Sequence, residues 1–338
     1  MAGGWTTPEL VAAVTGAGAL GSLPAAQTTL ESLREAIGRI RSAASGPFCV
    51  NFIVAPPEPA PSDIEAVQAV LDDVRSELRL PLGPRRLELR PSVLEEQLDL
   101  ALRSDVRVIG FAMGCPGALI ERARKSGASV FVMVTSRDEA LEAGAAGADV
   151  IVAQGIEAGG HRSTFRVERD RELPRVGTLA LVSQIVEAVS VPVVAAGGIM
   201  DGRGIAEALR LGASGVQMGT RFLMTRESGA SPEYRSWIAT RDPASTHVTR
   251  WLTGRPARAF RNRLLEKLEA SGLEPLPWPY QALAAEDIYR ASAERGLADT
   301  MALYAGQGLR TGMRDMGAGS LVRELVDQAA RVLSGSGR

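Results

Sequence analysis

The run Ile151-Val152-Ala153-Gln154-Gly155-Ile156-Glu157-Ala158-Gly159-Gly160-His161-Arg162 carries chemistry most plainly: an apolar strand feeds a glycine turn that presents an imidazole. Glycine tolerates φ > 0 and close backbone approach. Gly159 and Gly160 can therefore admit a flat ligand against the main chain while His161 faces its reacting edge. An unperturbed imidazole, with a pKa of about 6.5, can take or lend a proton near neutral pH. A histidine that only caps or packs its loop is the competing explanation. Two further glycine corners weigh against it, Ala195-Ala196-Gly197-Gly198-Ile199-Met200-Asp201-Gly202 and Gln217-Met218-Gly219-Thr220-Arg221-Phe222, each following an apolar run. The other histidine in the chain is His247.

The elements that must position these residues repeat. A helix rich in Ala and Leu, a Gly-Ala step and a β-branched run recur at Gly127-Ala128, Gly147-Ala148 and Gly212-Ala213. Glycine ends each helix, and an apolar run without alternation is a parallel strand buried on both faces. Strands are predicted at 20–22, 48–54, 106–112, 130–134, 150–153, 191–196 and 215–218, with helices at 29–44, 62–80, 118–126, 137–146, 179–189 and 204–211. Seven strands are one short of a closed (β/α)8 TIM barrel. The deficit falls at the N-terminus: residues 1–10 look like the loop after a first strand, with Thr7 as N-cap and Pro8 at the first helical position. The first strand is thus expected to be missing or truncated, through a clipped or misassigned start, the alternative being a barrel that closes imperfectly.

From about Thr225 proline-rich turns and charged helical pieces replace the strand signal. Leu264, Leu265 and Leu268 keep helical spacing within 262–271. The expected organisation is a barrel over 1–225, a helical cap or substrate domain over 226–300, and a final barrel helix at 320–333 with a disordered tail in 301–338. With 38 Lys+Arg against 39 Asp+Glu, no global field draws the chain to nucleic acid or an anionic membrane. Cys49 and Cys115 make neither a disulfide framework nor a metal cluster, and no signal peptide or membrane span is apparent. A reduced, cytoplasmic protein acting on a small molecule follows, and a homodimer is compatible with it.

Barrels place chemistry at the C-terminal ends of their strands. Counting the missing strand first, the two glycine corners end strands seven and eight, whose loops commonly bind a phosphate through free N–H groups. One phosphate and no second nucleotide signature point to FMN. No GxGxxG follows a strand as a dinucleotide fold requires; Gly16-Ala17-Gly18-Ala19-Leu20-Gly21 comes after a helix and before a strand. P-loop, HExxH and GxSxG motifs are absent.

Residues 1–4 (MAGG) with Thr7-Pro8-Glu9-Leu10, Val50-Asn51-Phe52, Gln154 to Arg162, Ala196-Gly197-Gly198-Ile199 and Gln217 to Phe222 resemble the nitronate monooxygenase family, formerly 2-nitropropane dioxygenases. The likeness runs over nearly the whole chain, although enoyl-ACP reductase II enzymes share the His-bearing loop. The resemblance implies FMN held by Asn51, Gln154, Gly159, Gly160, Gly197, Gly198, Gln217, Met218, Gly219 and Thr220. It also places Met1, Ala2 and Gly3 against the flavin and makes His161 the catalytic base. Arg162 and Tyr304 are candidate substrate contacts; a solvated loop arginine and a packing aromatic are the alternatives.

The implied reaction is oxidation of an alkyl nitronate, or of a nitroalkane deprotonated by His161, by dioxygen to a carbonyl compound and nitrite. Ser163 departs from the glycine frequent after His-Arg in the family, and the polar stretch 165–172 lengthens the covering loop. Ala112 stands near where many relatives carry a polar group. Cys115 is expected to be an inert thiol. Two other readings stay open: an NAD(P)H-dependent FMN reductase acting on an enoyl thioester or quinone, and a degenerate flavin-binding protein without catalysis.

Overall fold

The computed structural model describes residues 4–167, 175–309 and 315–335. In chain order the strands are β1 (Gly21–Pro24), β2 (Phe48–Ile53), β3 (Val108–Ala112), β4 (Ser129–Val134), β5 (Val150–Gln154), β6 (Gly160–His161), β7 (Val193–Ala196), β8 (Gly215–Gln217), β9 (Thr246–Thr249) and β10 (Ala257–Phe260). Seven form one parallel sheet in the order β1-β2-β3-β4-β5-β7-β8, curled as a TIM barrel and wrapped by helices. Its register is set by pairs such as Asn51 with Gly110, Met133 with Val152 and Ala196 with Gln217.

Burial alternates along these strands in a way that bears on function. Outward residues, among them Leu23, Val50, Phe52, Ile109, Val130, Val132, Ile151, Ala153, Val193 and Ala195, form the main apolar core beneath the helices. The inward set is less covered: Pro24, Asn51, Phe131, Met133 and Val194 are half-buried and Gln217 is exposed. Gly110, Ala112, Ala196 and Gly215 on the same inward face are too small to fill the centre. A barrel interior is ordinarily packed with layers of bulky side chains, and this one has several small residues in those positions.

Among the described residues no strand precedes β1, and β8 pairs with β7 alone. The helical layer bridges the gap that the strands leave. Helix Pro8–Gly16, with Thr7 capping it as expected, packs on Leu30–Ala43 and on Ala318–Leu333, which in turn packs on Gly202–Arg210. The last helix thus takes the outer-layer position expected of it.

Two expectations need correction. The helix within 62–80 exists as Glu65–Glu77, but Val67, Leu71 and Val74 join a second apolar cluster with Trp251, Leu252, Leu265 and Ile288, away from the barrel core. Its place in the barrel layer belongs to Leu94–Arg103, whose Leu98, Leu100 and Ala101 are in the main core. Glu95, Glu96 and Asp99 masked that short helix in the sequence. The segment after Thr225 is also not purely helical: β9 and β10 join β6 in an antiparallel sheet ordered β6-β10-β9. Four-residue strands carrying Arg258 and His247 give too little apolar signal to be read in advance. The helix at Arg263–Ala270 does form, capped by Asn262, with Leu264, Leu265 and Leu268 buried.

The second cluster is locked by Arg75, which is fully buried. Its guanidinium donates to Asp287 Oδ2 at 2.8 Å, Asp72 Oδ1 at 2.9 Å, Gln68 Oε1 at 2.7 Å and the Ala284 carbonyl. Removing one partner of a buried ion pair strands the others. Arg75→Leu is expected to lower stability by about 3 kcal/mol, read by denaturant unfolding. Proteolysis should open the 251–290 region before the barrel.

Candidate active site

The site begins with how β6 is held. Gln154, the last residue of β5, donates from Nε2 to the His161 carbonyl at 2.9 Å and accepts the Ser163 N–H at 2.8 Å. On the other side His161 pairs with Ala257 of β10, and the Arg162 N–H donates to the Pro256 carbonyl at 2.8 Å. The histidine of the glycine turn therefore sits on a sheet edge held between β5 and β10. The Ser163 hydroxyl donates to the Met133 carbonyl at 2.9 Å and accepts the Met113 N–H at 2.8 Å, tying three strand ends together. That gives the departure from glycine at this position a structural use.

Acidic residues anchor the loop on both flanks. Glu139 accepts from the Thr135 N–H and hydroxyl, the Thr164 hydroxyl and the Phe165 N–H, at 2.6 to 2.9 Å. Glu157 accepts the Thr178 N–H at 2.9 Å and its hydroxyl at 2.8 Å, placing a carboxylate at the start of helix Thr178–Val186, where the dipole favours it.

The imidazole of His161 lies 5.6 Å, centroid to centroid, from the Trp278 ring edge-on and 5.6 Å from the Tyr304 ring. Its Nε2 is 2.8 Å from the Thr253 hydroxyl. Burial among these groups, with a smaller contribution from the Arg255 charge, lowers its pKa from 6.5 to about 4. The ring is therefore neutral at pH 7, the state a base requires. Arg255 is itself buried, and its Nε has no partner among the described residues.

Tyr304, a candidate substrate contact in the sequence, lies beside the His161 ring. Thr253, Arg255 and Trp278 were not foreseen: Thr253 lies 92 residues from His161 in sequence, and no spacing rule links a cap turn to a barrel loop. Arg162 is a correction. It is buried at 1% exposure and donates to the carbonyls of Gly155 and Gln154, so it braces the β5 end and is not a solvated loop charge. His247 bonds Glu269 at 2.6 Å within the cap. Cys115 has its thiol pushed up to about 11, chiefly by burial, as an inert thiol would. Met1, Ala2 and Gly3 lie outside the described residues.

The glycines divide by use. A Cβ on Gly159 would come within 2.6 Å of the Ala305–Gly306 backbone, so what this glycine admits is the chain's own 304–309 segment and not a ligand. That segment is fastened by Gly306 N–H to Thr220 Oγ1 at 3.0 Å and Gln307 N–H to the Glu157 carbonyl at 2.9 Å. Gly160 (φ +79) faces open space, and Gly198 (φ +70) is exposed at its corner. The amides of Gly197, Gly198, Gly219 and Thr220 have no acceptor among the described residues. The Asn51 side chain lies over Gly110 in the half-open interior, also without a partner among them. Met218 packs partly against the main core.

The parallel strands curl as a TIM barrel, with the glycine corners and the imidazole of His161 together at the C-terminal ends of the strands, the end where barrel enzymes hold their active sites. A sequence profile described as nitronate monooxygenase matches residues 1–328. A nitronate monooxygenase of Pseudomonas aeruginosa is 40% identical over 330 residues, covering 96% of this chain and 93% of the relative. The solved structure of a nitroalkane oxidase from Streptomyces ansochromogenes superposes with a TM-score of 0.90 at 38% identity, covering 99% of this chain and 95% of that one. FabK from Thermotoga maritima superposes with a TM-score of 0.76 at 29% identity, over 99% and 92% of the two chains. The chain belongs to the nitronate monooxygenase family, and it is an oxidoreductase.

The two adjacent glycines give a direct test of the site's packing. Gly159→Ala must displace the 305–306 backbone, whereas Gly160→Ala has room and bears only left-handed strain of about 1–2 kcal/mol. Thermal melts should show the larger loss for Gly159→Ala.

Proposed function

We propose that this enzyme oxidises alkyl nitronates, and nitroalkanes after deprotonation, with dioxygen, using FMN, and that His161 is the base. The observation that carries the reading is a histidine held neutral at the C-terminal mouth of the barrel, between two aromatic rings and next to a buried arginine. The residues present fit the cofactor. Small inward side chains leave the barrel centre open, the exposed Gly198 corner and the amides of Gly197, Gly198, Gly219 and Thr220 suit a phosphate, and the unpartnered Asn51 amide suits a polar ring edge. Gln217 would also reach it from the strand end. Gln154 would act indirectly, since its amide already holds His161 and Ser163.

Bound there, FMN supplies the electron transfer from nitronate towards dioxygen that ends in a carbonyl compound and nitrite. The protein's own work is different. His161 removes the acidic proton next to the nitro group, and its low pKa keeps that form available. The Arg255 charge, which disfavours a proton on His161, equally favours an anion in its place. Trp278 and Tyr304 keep bulk water from the ring. We propose that 226–300 acts as a cap over this mouth and that 301–338 returns the chain to the barrel; Tyr304 would then meet substrate beside His161.

Purified protein should be yellow. Under anaerobic conditions a nitronate, and neither NADH nor NADPH, should bleach it; bleaching by a nicotinamide alone would replace this reading with a reductase. His161→Asn should retain flavin and lose about 100-fold or more in turnover of neutral nitroalkanes, with less effect on preformed nitronates. Because the lowered pKa means that the proton-free form persists well below neutrality, kcat/KM for a neutral nitroalkane should stay level from about pH 7 to about pH 5 and fall as pH drops through about 4. An acid limb near 6.5 would count against the enclosed-imidazole geometry.

A further inference from the structure

We propose that Thr253 is a positioning residue that sets the tautomer of His161, leaving Nδ1 as the nitrogen that takes the substrate proton. The inference rests on the reading of His161 as base and assigns the atom. A hydroxyl offers one proton and two lone pairs. Around Thr253 Oγ1 stand three groups: the Arg255 N–H, which donates to it at 3.4 Å; the Arg255 carbonyl, which can accept its proton at 3.4 Å; and His161 Nε2 at 2.8 Å. With the hydroxyl proton directed to the Arg255 carbonyl, one lone pair receives the Arg255 N–H and the other receives Nε2–H. Every capacity of the hydroxyl is then used. The reverse assignment, with the hydroxyl donating to Nε2, gives up the bond to the Arg255 carbonyl and places a proton on Nδ1, where no acceptor stands among the described residues.

The two histidines differ in what becomes of Nδ1. In His247 that atom is sealed and unpartnered; in His161 it has no partner among the described residues, yet it is not sealed. It is the free, reachable nitrogen of the ring. Proton transfer then breaks the C–H bond beside the nitro group and forms N–H at Nδ1, the electron pair staying on the substrate as the nitronate. The resulting imidazolium keeps its Nε2–H on Thr253 and does not turn. Its charge sits beside the anion just formed. Thr253 belongs to the turn Thr253-Gly254-Arg255-Pro256 that leads into β10, whose Ala257 pairs with His161, so the same strand pairing fixes the turn and the imidazole relative to each other.

The test is spectroscopic first. The chain has two histidines, so long-range proton–nitrogen spectra of histidine-labelled protein contain two imidazole patterns, and His247→Gln identifies which is which. The expected result at neutral pH is a bare Nδ1 and a protonated Nε2 on His161; a proton on Nδ1 overturns the proposal without any variant of Thr253. Thr253→Val should convert the pattern to a mixture and lower kcat for a neutral nitroalkane about tenfold. KM and nitronate turnover should stay near wild type, and Thr253→Ser should restore both tautomer and rate. Unaltered spectra and rates in Thr253→Val would also overturn it. A wild-type spectrum of the expected kind in a protein that turns over neither substrate would sink the functional reading and leave the tautomer assignment supported.

Discussion

The clamp on β6 is the constraint on which the rest depends. Two residues, Gly160 and His161, are a strand only because Gln154 at the end of β5 holds their backbone on one side and Ala257 of β10 holds it on the other. Buried amide and carbonyl groups need partners, and here the partners come from elements far apart in the chain. Satisfying them brings the cap turn with Thr253 and Arg255 to the imidazole, and the imidazole to the barrel mouth. Arg162 and Ser163 extend the same logic by spending their polar groups on strand-end carbonyls and amides.

A second consequence is electrostatic. The ring that results is enclosed by Trp278 and Tyr304 and lies near a buried guanidinium, so its charged form is disfavoured twice, by lost hydration and by a like charge. An exposed loop histidine with the same neighbours in sequence would titrate close to neutrality. The segments after β8 that carry Thr253, Arg255, Trp278 and Tyr304 therefore hold the imidazole in its neutral form. The packing of those segments rests on the buried Arg75 network, which joins the 65–77 helix, from between β2 and β3, to the 280–294 helical pair.

The barrel shows the complementary economy. Outward positions of the strands are packed to exclusion, as the helices demand, while inward positions are small or half-covered. Packing that stabilises the fold has been placed on one face of each strand, and the other face carries the smaller or less covered side chains. The 304–309 segment lies over the corners as backbone, which is why Gly159, Gly306 and Gly308 tolerate no Cβ there. Glycines that read as ligand cradles in the sequence are partly cradles for the chain itself.

Seven parallel strands, the Thr7 cap, the final helix and the imidazole at position 161 were legible in the sequence, because each depends on local patterns: β-branched runs, a Gly-Ala step, a capping hydroxyl before proline. The helix at 94–103 and the strands β9 and β10 were not, since short elements rich in charge are stabilised by what they pack against and not by their own periodicity. The roles of Arg162, Thr253, Arg255 and Trp278 were equally out of reach. Sequence by itself determined which residue could act as a base and which strand ends would surround it. Tertiary structure alone decided that the imidazole of His161 is neutral, which of its nitrogens is held, and which glycines face open space, because burial and hydrogen-bond partners separated by about a hundred residues exist only once the chain has closed on itself.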